Sequence, residues 1–395
     1  MVSNRAVIKF GGADLATGEK IACAARLVAE SPYLERVVVV SAMGKTTDAL
    51  VAAVNQLGNV SDEDYAEIVS MGERTCARIF AAALRVQGAK AEFIDPATDK
   101  WPIITDSAYR DATPDEKETK SRAKRHLNPL MKTGTVPVVC GFLGKTANGK
   151  VTTLGRGGSD TTALLLANVL QADEIVLVKE TSGVLSADPK TVPNARFLEE
   201  MDIHEAFDLM HGGAKIVKPE ALKYKLPNQK LRVVSFTCAN LGVGGTQIVG
   251  SFNLSSKKTE IVTDLISINL VCEVNSDNLR EAFAALEGKS IYGVSSGKRS
   301  ITIFTTDGDA EERIRRLHDF RGFKAISHRE HVAMLQVSHP TFVDSPGSVA
   351  RISTALSQAG INILEVTTSK ATINVFIEEN KLRSAKEAIE NASET

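Results

Sequence analysis

Six short runs of β-branched and apolar residues, at 6–10, 37–41, 91–94, 136–140, 174–178 and 231–235, recur through the first 250 residues. Between and around them lie longer segments, 18–30, 46–57, 62–87, 117–132, 161–170 and 204–210, with apolar residues at helical spacing. A strand that is apolar along its whole length is buried on both faces, and strands joined through helices run parallel. The alternation therefore predicts a three-layer αβα sandwich around a mostly parallel sheet, occupying residues 1–250. In such sheets ligands collect at the carboxyl ends of the strands. The chain's 395 residues exceed one comfortable core, so further domains are expected.

The composition turns rich in serine and lysine over 250–263, and 251–263 reads as a linker. Beyond it one pattern repeats. An alternating strand (Ile266, Ile268, Leu270, Cys272) precedes a helix at 278–286, a strand pair at 290–294 and 300–305, and a helix at 310–320. A strand at 332–337 then precedes a helix at 346–359, strands at 362–367 and 372–377, and a helix at 381–391. A β-α-β-β-α-β order met twice predicts two ferredoxin-like units, 264–329 and 330–395.

A net charge of −1 gives no bulk attraction to nucleic acid or to a membrane surface, and neither partner is expected. No apolar run reaches the length of a membrane span, and the start leads straight into a strand without a cleavable apolar segment. The five cysteines are widely separated, with no C-x-x-C pair and no histidine at metal spacing, which predicts buried thiols in a reducing compartment, no metal site and a cytoplasmic protein.

Two glycine pairs carry the chemistry. Val151-Thr-Thr-Leu-Gly-Arg-Gly-Gly-Ser-Asp160 leads into an apolar helix, and Lys9-Phe-Gly-Gly12 follows the first strand. Bare backbone approaches an anion closely, a helix N-terminus presents unpaired N–H groups, and an arginine clamps a carboxylate or phosphate. Phosphate handling is expected. Gly44-Lys-Thr46 and Gly144-Lys-Thr146 are not P-loops, because Val39 and Val139 stand where the first glycine is required. No intact G-x-G-x-x-G follows a strand, so a dinucleotide fold lacks its main support.

Taken in order, these motifs resemble the amino-acid kinase superfamily, and within it the aspartate kinases with C-terminal tandem ACT domains. The resemblance rests on Lys9-Phe-Gly-Gly12, Val38-Val-Val-Ser-Ala-Met-Gly-Lys-Thr-Thr-Asp-Ala-Leu50, Gly72-Glu-Arg74, Thr152 to Asp160, Gly183-Val-Leu-Ser-Ala-Asp-Pro-Lys190, Gly213-Ala-Lys215 and the paired C-terminal units. It implies ATP-dependent phosphorylation of the β-carboxylate of L-aspartate, with Mg²⁺, in lysine, threonine and methionine biosynthesis. By the same resemblance Lys9 and Lys215 neutralise the phosphates and Asp160 holds the lysines. Gly11, Gly12, Gly157 and Gly158 let the backbone approach them, and Lys179, Glu180, Leu185 and Lys190 line the nucleotide. Glu73 receives the substrate ammonium and Arg156 its α-carboxylate, with Ser41, Thr47 and Ser159 as hydroxyl partners. The ACT-like units imply a homodimer and an amino-acid effector, lysine or threonine, bound by Ser345, Gly347, Ser348, Val349, Asn362 and Ile363. Two rival readings stand beside this one: a kinase for another amino-acid carboxylate, and a catalytically silent amino-acid sensor.

The chain departs from the family pattern at several points. Ala13-Asp14 replaces the usual Thr-Ser, and Lys179-Glu-Thr-Ser-Gly-Val-Leu185 replaces Thr-Asp-Val-Asp-Gly-Ile-Tyr. Lys190 stands where arginine is frequent and Lys218 where histidine is usual. A carboxylate at position 14 repels an anionic substrate unless a lysine pairs with it.

Overall fold

The computed structural model describes residues 5–252, 258–306, 308, 310–339, 342, 346–369 and 371–391. The chain divides into two compact units, the first ending at Phe252.

In the first unit eight strands lie side by side in the order Glu200–Asp202, Thr246–Val249, Lys230–Ser235, Glu174–Lys179, Arg5–Phe10, Glu35–Val40, Val136–Cys140 and Ala91–Ile94. All neighbours run parallel except Lys230–Ser235 and Thr246–Val249. Ala6, Val7, Ile8, Val37, Val38, Val39, Ile175 and Val176 are wholly buried, as strands covered on both faces require. The helices Gly18–Ala29 and Asp62–Val86 pack on one another, as do Glu116–Lys132 and Gly158–Val169. Three of these begin on a side-chain cap: Thr17, Ser61 and Asp115 each accept a backbone N–H of the first turn. The registers align Phe10 with Val40 and Val178, and Val40 with Cys140, so the segments following all four strands open at one edge.

Two differences from the sequence reading bear on the site. The helix expected at 161–170 begins three residues earlier, as Gly158–Val169. Gly157 takes a left-handed φ of 75° as its N-cap, so the glycine pair starts the helix instead of preceding it. A small sheet of Ile104–Thr105, Leu143–Thr146 and Val151–Thr153 was not legible in the sequence. Its hairpin delivers the chain to Leu154 and the glycine pair beyond.

The second unit is a six-stranded antiparallel sheet in the order Ile291–Ser296, Ser300–Thr306, Lys258–Val271, Ala325–Ser338, Thr372–Glu378 and Glu365–Ser369. One cluster of buried side chains gathers Ile268, Leu270, Ile301, Ile303 and Leu317. A second gathers Leu335, Val337, Ile352, Leu356 and Val375, with the helices Ser348–Gln358 and Leu382–Asn391 contributing. The Phe304 and Phe376 rings stack with centroids 3.8 Å apart in a third cluster, beside Leu265, Val332 and Met334. The two central strands run 14 residues each and bend at Asp264 and His331, both with φ of 56°.

The strand Lys258–Val271 corrects the expected linker. Residues 258–262 pair with 334–338, and 265–271 pair with 325–332, so one strand spans positions expected as linker and as the first strand beyond it. Ile261 is 40% exposed, and the segment therefore lacks the core-facing alternation by which a strand is recognised.

Candidate active site

The strand Arg5–Phe10 ends on Lys9 and Phe10, and the buried strand leaves Lys9 only 4% exposed. Its ammonium stands 2.6 Å from Oδ1 of Asp160 in the first turn of Gly158–Val169. The other oxygen of Asp160 accepts the Lys218 backbone N–H at 3.1 Å, while the Lys218 ammonium donates to the Leu154 carbonyl at 3.4 Å. Burial alone would raise the Asp160 carboxyl, yet the Lys9 and Lys179 ammonium groups hold it below the ordinary carboxylate range. Lys179 ends the neighbouring parallel strand. Burial first, and then the adjacent Lys9 ammonium, push the Lys179 amine down to about 8. Two cations thus flank the buried Asp160 carboxylate at the carboxyl edge of the strands, where ligands bind in this class of sheet.

The loop after Glu35–Val40 is tied to the first glycine corner. Ser41 N–H donates to the Phe10 carbonyl at 3.3 Å, and Gly44 N–H to the Gly12 carbonyl at 2.9 Å. On its far side the same loop is held by Glu73, whose Oε1 accepts the Ala42 N–H at 3.1 Å and whose carboxylate accepts the Thr47 hydroxyl at 3.2 Å. Gly72 makes this approach possible: a Cβ there would lie 2.7 Å from Thr47 Oγ1 and 2.9 Å from Ala42 Cβ. Burial pushes the Glu73 carboxyl up to about 7, against the opposing hydrogen bonds from Ala42 and Thr47. Ser159 is buried and packs so closely against Gly141 that a Cβ on that glycine would lie 2.6 Å from its hydroxyl. Arg156 is exposed on the segment just before the helix.

The fold thus gathers Lys9, Gly11, Gly12, Ser41, Thr47, Glu73, Ser159, Asp160 and Lys179 around the carboxyl ends of adjacent strands. Gly157 and Gly158 open the helix that carries Ser159 and Asp160. Glu180 follows Lys179 directly and accepts the Lys20 ammonium at 3.3 Å. Leu185 lies in the short strand Val184–Leu185, paired with Phe197–Leu198. Lys190 is exposed, its backbone N–H bonded to Asp188. Lys215 is exposed as well and, among the described residues, has no ion pair with Asp160; the second ammonium beside Lys9 belongs to Lys179. The sequence places Lys179 along the nucleotide; in the structure Lys9 is in register with Leu177, two residues before Lys179 on the neighbouring parallel strand.

In the second unit, Gly347 caps the helix Ser348–Gln358 with φ of 82°; Ser348 is buried and Val349 is 40% exposed. Asn362 and Ile363 precede the strand, which starts at Glu365 and not at 362 as the sequence indicated. They follow the turn at Ala359 and Gly360 that ends the helix, where Ile361 N–H is bonded to the Leu356 carbonyl. Ser345 lies outside the described residues. Among the described residues no helix is long and apolar enough to cross a membrane, and no group of three or more histidine, cysteine, aspartate or glutamate residues is arranged to hold a metal ion.

Comparison with known proteins agrees with this architecture. Residues 4–235 match the amino acid kinase family and residues 327–391 match an ACT domain. An aspartokinase of Corynebacterium glutamicum is 31% identical, over 97% of this chain and 94% of that protein. One from Mycolicibacterium smegmatis is 29% identical over 98% and 95%. The crystal structure of aspartate kinase from Synechocystis superposes with a TM-score of 0.74 at 25% identity, covering 99% of this chain and 69% of that one. E. coli aspartokinase III, solved in complex with aspartate and ADP, shares the fold with a TM-score of 0.57 at 20% identity, over 99% of this chain and 100% of that one. With a family match over more than half its length and a relative above 30% identity along nearly all of it, the chain belongs to the amino acid kinase family, among the aspartokinases.

Proposed function

We propose that the protein transfers the γ-phosphoryl group of ATP to the β-carboxylate of L-aspartate, giving 4-phospho-L-aspartate. One observation carries this reading: the buried Lys9–Asp160 ion pair, with Lys179 beside it, adjoins a second buried carboxylate, Glu73, across a single loop. A carboxylate acceptor is already a nucleophile, so the site needs no general base. The obstacle is bringing two anions together and stabilising the charge on the transferring group. Lys9 and Lys179 supply positive charge there, and Asp160 fixes the Lys9 ammonium and the Lys218 backbone in place. Mg²⁺ enters as part of the ATP substrate, bound to its phosphates.

Acceptor choice is a matter of alignment. Glu73, held by Ala42 and Thr47, receives the substrate ammonium, and Arg156 receives the α-carboxylate. Ser41, Thr47 and Ser159 position the rest. Glu180, Leu185 and Lys190 line the nucleotide, and Lys215 reaches its phosphates. In the second unit, a lysine or threonine end product binds near Gly347, Ser348, Val349, Asn362 and Ile363 and lowers activity, through a homodimer formed by the ACT units of a cytoplasmic enzyme. ADP release with L-aspartate, compared with L-glutamate and with no acceptor, tests the reading. Turnover confined to aspartate supports it, and equal turnover without an acceptor rejects it.

A further inference from the structure

Asp14 is a carboxylate where the family pattern has a hydroxyl, and it is 1% exposed. It sits in the short 3₁₀ turn Ala13–Leu15, immediately after the first glycine corner. Its Oδ2 accepts the Gly11 N–H at 3.1 Å, so that amide is already engaged. Its Oδ1 is buried and has no hydrogen-bond partner. Such an atom is costly to leave unmatched in the interior.

The groups around it come from every side of the corner. Lys9 approaches from the first strand, Lys179 and Glu180 from the end of the neighbouring strand. Asp160 faces the same two lysines from the helix Gly158–Val169. Lys20, from the helix Gly18–Ala29, donates to the Ala13 carbonyl at 2.8 Å and to Glu180 at 3.3 Å. Two lysines therefore face two carboxylates in the interior, and the second carboxylate, Asp14, cancels the positive charge that a phosphate would use. Burial, outweighing the Gly11 hydrogen bond and the Lys9 charge, raises the Asp14 carboxyl to about 6. Near neutral pH the group holds a proton at modest cost.

We propose that Asp14 works in its neutral acid form as a hydrogen-bond donor to a nucleotide phosphate, so that nucleotide binding draws one proton from solvent onto Asp14. This rests on the nucleotide reading above. The proton settles on Oδ1, Oδ2 keeps the Gly11 N–H, and the new O–H points its hydrogen at a phosphate oxygen. No covalent bond to phosphorus forms or breaks. The lysines are released from the second carboxylate at the moment a phosphate arrives, and the orphaned oxygen gains its partner.

The test is calorimetric titration of the full chain with ADP and magnesium, in pairs of buffers of different ionisation enthalpy, on the wild type, Asp14→Asn and Asp14→Ser. Both variants keep a neutral donor and cannot titrate. At pH 7.5 the wild type takes up nearly one proton more per ADP than either variant. The interval from about 6 to pH 7.5 makes the variants bind about thirtyfold more tightly there. At pH 5.5 the three affinities converge. Equal proton uptake in wild type and variants overturns the proposal, as does binding by the wild type with loss of binding in both neutral variants. If the wild type itself binds no ADP, the nucleotide reading fails, and the Asp14 proposal falls with it.

Discussion

Replacing Glu73 with glutamine separates the cost of a buried carboxylate from its use. The group is 4% exposed and its carboxyl is raised from 4.5 to about 7 by burial. In the unfolded chain the same carboxyl ionises near 4.5, so both states hold the proton below that pH and folding bears no penalty. As pH rises through this interval the unfolded state loses its proton first, and stability falls until about pH 7, after which the loss is complete. The interval corresponds to about 3 kcal/mol at 1.36 kcal/mol per unit. Glutamine keeps the side-chain oxygen that accepts the Ala42 N–H and the Thr47 hydroxyl but never ionises. At pH 8 Glu73→Gln therefore unfolds at higher urea concentration than the wild type, by up to about 3 kcal/mol, and the gain vanishes near pH 4.5.

The same change removes the negative charge that receives the substrate ammonium. The KM for aspartate, at saturating ATP, rises about tenfold per pH unit below 7 in the wild type. The variant has a high KM with no such slope. A variant less stable than wild type at pH 8, or one with unchanged aspartate KM, refutes the assignment of Glu73.

Three further outcomes are expected. Lys9→Ala lowers kcat on the order of 10³-fold, as removal of a preorganised transition-state cation does; unchanged kcat in a steady-state assay removes Lys9 from the mechanism. Gly72→Ala drives a methyl to within 2.7 Å of Thr47 Oγ1, costs about 1–3 kcal/mol in urea unfolding, and raises the aspartate KM more than the ATP KM. Titration with lysine and with threonine lowers activity for at least one of them; a flat response to both removes the effector reading.

The fold was legible where burial on both faces makes a strand apolar throughout. The runs at 91–94 and 136–140 coincide with strands, and the other four parallel strands differ from expectation by a residue at an end, or at most by two at the start of Glu35–Val40. Legibility failed where side chains face solvent or where polar residues build short strands. Leu143–Thr146 and Val151–Thr153 contain glycine, lysine and threonine, and their pairing is set by the hairpin and not by an apolar pattern. Residues 258–262 were read as a linker for the related reason that their partner strand is more than 70 residues away.

In the site, Lys9, Glu73 and Asp160 were named through the family resemblance, each within two residues of a glycine. The role of Lys179 as second cation beside Lys9 needed the register of two parallel strands, and the orphaned oxygen of Asp14 needed side-chain coordinates.

In the proposed reaction the β-carboxylate of aspartate itself attacks the phosphoryl group beside Lys9. Aspartate labelled with ¹⁸O in that carboxylate, turned over with ATP and trapped with hydroxylamine, reports on it directly. The trap attacks the acyl carbon, so the released phosphate keeps the bridging oxygen. Each phosphate released then carries one ¹⁸O, seen by mass spectrometry, together with aspartyl hydroxamate. Phosphate free of label, formed at the same rate with or without aspartate, would show water as the nucleophile and contradict it.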